Sequence, residues 1–225
     1  MEESLVLPLF PMSVVIVPSS TWMIKETEKP LFELLKYCSE NKQPFAAVYS
    51  DEEGGIHEIG CICEILEYQI NQNEIVCTFK GLDRISKDSI VSIQNGREEV
   101  ICNDKITYFE LNEPKEAMPF SFIKGAIFSD ENIKIRSDVR DDVLVKFIEI
   151  AIDKAEPDCH NTSINVSKQE RAEDLSFIVL NYLVGDESRE DNLIRYKFLA
   201  KRSENQRLRL LRNMLCGKGS SKYTN

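Results

Sequence analysis

The sequence predicts an α+β protein with its strands first and its helices last, and three observations carry that reading. The run from Ile59 to Ile85, IGCICEILEYQINQNEIVCTFKGLDRI, alternates apolar residues along two arms of a hairpin. Asn95-Gly96, set between two longer apolar-rich runs, is one of the clearest hairpin-turn signals a sequence can carry. Beyond a polar hinge from Glu113 to Met118 the period changes, and Val139, Val143, Phe147 and Ile150 recur at helical spacing. Such segregation argues for a β-rich N-terminal part, residues 1–115, a helical part, residues 116–216, and a flexible tail, residues 217–225.

The central hairpin sets the plan. Cys61, Cys63 and Ile65 point one way and Ile62, Leu66 and Tyr68 the other, while on the return arm Ile75, Cys77 and Phe79 oppose Val76 and Thr78. Asn71, Gln72 and Asn73 supply the turn, since asparagine tolerates left-handed backbone angles. A hairpin apolar on both faces needs cover on both, so it is expected to be the wall of a small barrel with something laid outside it. Gly81 is expected to break the return strand and, with Arg84, to form a structural corner.

Taken in order, Leu5 to Leu9 reads as a strand ending in Phe10-Pro11, and Val14 to Val17 as a second apolar strand closed by Pro18. Proline lacks the N–H a ladder needs, which confines both runs to edges or strand starts. Thr21 to Lys25 is a further strand. Thr27 is a candidate N-cap for a helix from about Glu28 to Asn41, with Pro30 in its first turn and Leu31, Leu34, Leu35 and Cys38 as its apolar stripe. Phe45 to Tyr49 is a buried strand and Asp51 to Gly55 an acidic loop. Ile85 to Gln94 and Glu99 to Leu111 are the strands either side of Asn95-Gly96. The helical part opens at about residue 138. Three helices follow a polar linker: one opened by the capping box Ser167-x-x-Glu170 and striped by Leu175, Ile178, Val179, Tyr182 and Leu183, one from about Arg189 to Lys201, and one opened by Ser203-x-x-Gln206 and carrying Leu208, Leu211 and Leu215.

Composition narrows the function classes. With 28 basic and 38 acidic residues the chain carries a net charge of -10, which repels polyphosphate backbones and anionic lipid. Nucleic acid is a disfavoured partner, and no apolar stretch approaches the roughly 20 residues that span a bilayer, so no membrane is expected. The N-terminus is acidic and its apolar run is interrupted by Pro8, Pro11 and Pro18, unlike a secretory leader. Seven cysteines then read as reduced thiols, and a soluble, cytoplasmic protein is expected.

Five blocks in register carry a family resemblance. Leu7-Pro8-Leu9-Phe10-Pro11, the Val14 to Pro18 run, Ile59-Gly60-Cys61-Ile62, Ile75 to Phe79 and Gly81-Leu82-Asp83-Arg84-Ile85 together resemble the N-terminal substrate-recognition domain of the Lon proteases, the LON domain. Asp174-Leu175, Asn181, Leu183 and the Arg207 to Leu215 helix extend the likeness over nearly the whole chain. The resemblance implies a PUA-like β pseudo-barrel of about six strands with one embedded helix, followed by a helical bundle. It also implies a role in holding polypeptide or small ligands rather than in breaking bonds. This chain departs from the family where Val17-Pro18-Ser19 stands in place of Phe-Pro-Gly, and where Glu26-Thr27 replaces an apolar pair. A full Lon protease continues into an ATPase and a serine-lysine peptidase; neither follows here, so a stand-alone binding module is expected.

The search for chemistry agrees. Gly217-Lys218-Gly219-Ser220 has Arg212 where a phosphate loop needs its first glycine. His57, Cys61 and Cys63 share a strand face, but at about 3.3 Å per residue His57 and Cys61 stand roughly 13 Å apart, too far for one zinc ion, so core cysteines are expected and no metal or cofactor. Two histidines and no glycine-framed serine leave a hydrolase triad without material, so no catalytic residue is named. Arg207, Arg209 and Arg212 on the last helix are expected to solvate it and complement its dipole. Candidate peptide-binding residues are Trp22 and Met23 near the strand-to-helix junction and Pro119, Phe120 and Phe122 in the hinge, where aromatic and methionine side chains suit extended apolar peptide. The expected partners are unfolded or extended polypeptide and a separate protease; the alternative is a PUA-like RNA-binding or small-molecule-sensing protein.

Overall fold

A computed structural model of the chain describes residues 5–51, 53–94, 97–102, 105–110, 118–130, 137–154, 175–185 and 188–216. The elements are β1 (Leu5–Met12), β2 (Thr21–Glu26), α1 (Lys29–Asn41), β3 (Phe45–Tyr49), β4 (Ile59–Asn71), β5 (Glu74–Gln94), β6 (Arg97–Cys102), β7 (Lys105–Glu110), β8 (Ser121–Ile127), α2 (Ser137–Lys154), α3 (Leu175–Leu183), α4 (Arg189–Leu199) and α5 (Glu204–Cys216). Two compact units are formed: Met1–Phe128 with Asp186–Leu199, and Ser129–Gly185 with Ala200–Asn225. The third helix of the expected C-terminal part, α4, thus belongs to the β-rich unit. The boundary read at residue 115, the Asn95-Gly96 turn, the Ser167 capping box and the tail lie outside the described residues.

In the first unit β4, β3, β1, β8 and β5 pair in that order, and β4 pairs again with β5, so five strands close on themselves. β2 attaches to β5 as a sixth, with α1 embedded between β2 and β3, and β6 and β7 extend from β5 as an arm. The α+β class and the ring expected of a PUA-like pseudo-barrel are both present. The arm arises because the run read as one strand from Glu99 to Leu111 is two, β6 and β7, paired from Arg97↔Glu110 to Cys102↔Lys105.

β5 organises the ring. β2 and β4 flank it over Ile75–Lys80, and β8 flanks it from Ile85 to Ser92. The strand runs straight through Gly81 instead of stopping there. What marks the site is a bulge, because Ile62 pairs with Asp83 and Cys63 with Gly81, leaving Leu82 as the extra residue. A second bulge at Asp88, between Lys87↔Gly125 and Ser89↔Lys124, resets the pleat again. Gly81 is a point of close approach: a Cβ there would lie 2.5 Å from the Val17 carbonyl oxygen and 2.9 Å from Cys61 Sγ. Its N–H donates to Ser20 O and its carbonyl accepts from Ser19 N–H, both at 2.9 Å, so a side chain would push the Val17–Ser20 loop off the strand.

The pleat sorts the apolar residues into two clusters, as the alternation in the central hairpin requires. Phe10, Phe45, Ala47, Cys61, Cys63, Ile75, Cys77 and Phe79 pack with Leu34, Leu35 and Cys38 of α1. Leu7, Leu9, Ala46, Val48, Ile62, Ile85 and Ile123 form the other cluster. Phe45 lies edge-on to Phe10 and to Phe79 at 5.8 and 5.3 Å between ring centres. Each fully buried ring of this kind contributes about 1.5–3 kcal/mol by leaving water.

Several local expectations give way to tertiary pairing. β1 is an interior strand despite Pro8 and Pro11, because Leu5–Pro8 pair only with β8 and Leu9–Met12 only with β3, so neither half is hydrogen-bonded on both sides. Val14 to Val17 is no strand. Val15, Ile16 and Val17 are buried, and the Val15 peptide is satisfied by α4 instead: its N–H donates to Asn192 Oδ1 at 2.7 Å and its carbonyl accepts from Arg195 Nε at 3.0 Å. At α1 the N-cap is Glu28 and not Thr27, and the Glu26 carboxylate accepts from the N–H groups of both Thr27 and Glu28 at 2.8 Å. Phe122, expected in the hinge, lies instead on a core strand, β8, where it and Ile123 are buried.

In the second unit α2 and α3 both pack on α5. The Phe147 and Tyr182 rings meet at 5.1 Å between α2 and α3. Arg207 on α5 is buried, not solvated: it grips Asp130 through two hydrogen bonds of 2.7 and 2.6 Å, donates to Ser176 Oγ at 2.8 Å, and lies 4.6 Å over the Phe177 ring. Arg212, half-exposed, pairs with Asp142 at 3.1 Å.

Candidate functional site

The candidate peptide-binding residues divide between core and surface. Strand alternation in β2 turns Trp22 inward, where it packs half-buried on the larger core cluster with the Arg195 guanidinium 5.8 Å over its ring, and turns Met23 outward, 74% exposed. Phe120 and Phe122 are buried in that same cluster, their rings 5.4 Å apart and Phe120 also 5.7 Å from Tyr37. Pro119 is exposed. Trp22, Phe120 and Phe122 are therefore joined through the core, with Met23 on the opposite face of β2. Arg84 is buried, donates to Leu199 O at 2.9 Å and lies 4.8 Å over the Phe128 ring, and its carbonyl accepts from Phe128 N–H at 2.9 Å.

A surface the sequence reading did not single out lies along the outer half of β4. β3 pairs with β4 only over Phe45↔Cys63 to Ala47↔Cys61, whereas β5 accompanies β4 as far as Asn71↔Glu74. Among the described residues, β4 from Glu64 onward therefore has a strand on one side and none on the other. Here Leu66, Tyr68 and Ile70 are 50%, 49% and 37% exposed. Leu66 is itself a bulge, because Ile65 pairs with Phe79 and Glu67 with Thr78. The extra residue reverses the alternation read from the sequence, so Tyr68 (paired with Cys77) and Ile70 (paired with Ile75) share the face of Ile65, not of Ile62. Towards the tip the two arms differ: Ile75 and Cys77 on β5 are buried in the larger core cluster, while Leu66, Tyr68 and Ile70 on β4 are exposed. Beside this edge a groove of about 370 Å³ opens between β4 and the end of α1, with Ile65, Leu66, Tyr68 and Leu82 on one wall and Lys42 and Pro44 on the other. Lys42, in the left-handed conformation (φ 51°), turns the chain out of α1 towards β3. The signal in the sequence is the apolar run itself, which continues past the residues that β3 pairs.

A second concavity, about 400 Å³, is mixed: Asp51, Glu53, His57 and Arg189 line it together with Tyr49, Leu193 and Tyr196. The imidazole is held between Tyr49 and Tyr196 at 4.9 and 4.6 Å between ring centres, which fastens the β3–β4 connection to α4. Asp51 is occupied locally, its Oδ1 accepting from Glu53 and Gly55 N–H. Burial, above all, raises the Tyr196 hydroxyl above its ordinary range.

Cys38, Cys61 and Cys77 are held protonated. Burial pushes Cys38 up to about 12, with nearby Cys77 adding to the shift, and burial pushes Cys77 up to about 11. Cys61 is raised as well, by burial first and by its neighbour Cys63 second. Among the described residues no three metal-ligating side chains gather at one point, and no helix is long and apolar enough to cross a membrane.

No protein-family profile and no curated protein sequence matches the chain. Solved structures do. A Lon N-terminal domain protein from Xanthomonas campestris aligns with 92% of this chain and 96% of its own, at 16% identity and a TM-score of 0.53. The N-terminal domain of the Lon protease of the Mycobacterium avium complex aligns with 95% of this chain and 99% of its own, at 10% identity and a TM-score of 0.59. Identity this low carries architecture alone, and in architecture the chain is similar to the Lon N-terminal domains.

Proposed function

We propose that this chain is a non-catalytic polypeptide-recognition module that takes hold of extended or unfolded chain, as an adaptor or regulator for a separate protease. The observation that carries this reading is the apolar overhang of β4, where Leu66, Tyr68 and Ile70 are left open beside a groove. Met23 and Pro119 are offered as further contacts, with Trp22, Phe120 and Phe122 supporting the surface from beneath. The chemistry of the thiols points the same way: a buried thiol whose pKa is raised is a poor nucleophile.

The test is binding of a labelled, reduced and carboxymethylated protein, permanently unfolded, against the same protein in its native form. The unfolded form is expected to bind with a dissociation constant in the tens of micromolar and the native form not at all. Equal failure of both, with capture of a structured RNA or a defined metabolite, ends the proposal.

A further inference from the structure

We propose that extended polypeptide is held by strand addition, as a new antiparallel strand in the lane beside β4 that β3 leaves empty; this rests on the polypeptide-recognition reading above. In an antiparallel ladder every second residue turns its N–H and C=O to a given side. Between Glu64 and Asn71 those that turn away from β5 face no strand, and among the described residues no other backbone hydrogen bond reaches them. Such a row is the complement of one kind of ligand, another extended backbone.

Three features make this edge receptive where other edges are guarded. Edge strands are commonly protected by proline or lysine, and β2, the other strand flanking this part of β5, carries Lys25, which pairs with Glu74. The run Glu64-Ile-Leu-Glu-Tyr-Gln-Ile-Asn71 has neither. Its apolar residues Tyr68 and Ile70 lie on the face that continues the larger core cluster, so alternate side chains of an added strand fall against them and into the adjoining groove. The lane also has an end: a strand continuing the direction of β3 runs up to Pro44, which precedes the first paired residue, Phe45. The occupant is thus an extended segment with apolar residues at alternate positions, read through its backbone and only loosely through its side chains.

The experiment uses the intact chain and a decapeptide of alternating valine and threonine between terminal lysines, with two analogues N-methylated at alternate amides in opposite phases. Methylation leaves the side chains in place and removes donors from one edge of the peptide. One phase is expected to lose affinity roughly tenfold or more while the other binds as the parent does, and hydrogen exchange at residues 64–71 is expected to slow on binding. A Leu66→Lys, Ile70→Lys variant, altered only at exposed positions, is expected to lose the parent peptide while keeping its circular dichroism and unfolding midpoint. Equal binding of both phases, or unchanged exchange in 64–71 while the carboxymethylated protein still binds, overturns strand addition and leaves polypeptide recognition standing. Failure of the carboxymethylated protein as well overturns both. A self-association that the lysine variant abolishes, seen by sedimentation, assigns the lane to a second copy and also overturns the proposal.

Discussion

Asn192 accepts the Val15 N–H at 2.7 Å, across 177 residues of sequence, and one helical turn later Arg195 donates to the Val15 carbonyl at 3.0 Å. Two side chains of α4 thus do for Val15 what a neighbouring strand would do, which is why an apolar run can be buried here without belonging to a sheet. Asn192→Ala leaves a buried N–H without its acceptor and is expected to cost about 1–3 kcal/mol. Urea unfolding followed through Trp22, the sole tryptophan and a neighbour of Arg195, measures it; a change within about 0.5 kcal/mol, as for an ordinary surface substitution, contradicts the clamp.

Gly81→Ala is expected to destabilise by about 1–3 kcal/mol through overpacking, since its Cβ meets backbone at 2.5 Å and not the movable end of a side chain. Gly54→Ala has open space around it but a φ of +82°, so its cost is backbone strain of about 1 kcal/mol. The pair separates the two reasons for glycine by unfolding midpoint, with Gly81→Ala the more damaging.

Arg207→Ala removes both hydrogen bonds that the guanidinium makes to the Asp130 carboxylate, and an expected loss of about 3–5 kcal/mol follows from breaking a buried pair. Arg207→Lys keeps the charge but not the planar fork that makes both bonds to Asp130, and is expected to fall between wild type and alanine. Arg212→Ala breaks a pair exposed by 48% and 52% and is expected to change stability by about 1 kcal/mol or less. Thermal melts of the three variants check the order.

Cys38 and Cys77 make stability sensitive to alkali. Their folded values, about 12 and about 11, lie above the ordinary 9.0, so the unfolded chain gives up these protons first. Their contribution is complete below pH 9 and is lost as pH rises toward 11 to 12. A Cys38→Ala, Cys77→Ala variant is expected to be less stable than wild type at neutral pH, with a gap that narrows above pH 9. A gap independent of pH counts against the buried-thiol assignment.

Much of this was legible in the residues. The turn at Gln72, the strand Phe45–Tyr49, the apolar stripe of α1 and the α+β order all follow from spacings within about a dozen residues, the range over which side-chain periodicity is set by the chain itself. β8 was not legible. In Ser-Phe-Ile-Lys-Gly-Ala-Ile an exposed lysine and a glycine interrupt the alternation, and only pairing with β1 and β5 makes the segment a strand. Phe120 and Phe122 were read as hinge aromatics because nothing in their own neighbourhood distinguishes a buried ring from an exposed one.

By itself, then, the chain's order of residues determined which segments alternate and which wind, and from this the class of the protein and the two faces of its central hairpin. Tertiary structure alone decided where the alternation slips. The bulges at Leu66, Leu82 and Asp88 each turn the following side chains to the opposite face. It also decided where cover runs out: β3 ends opposite Cys63, and the apolar residues of β4 beyond that point stand exposed for want of a neighbouring strand.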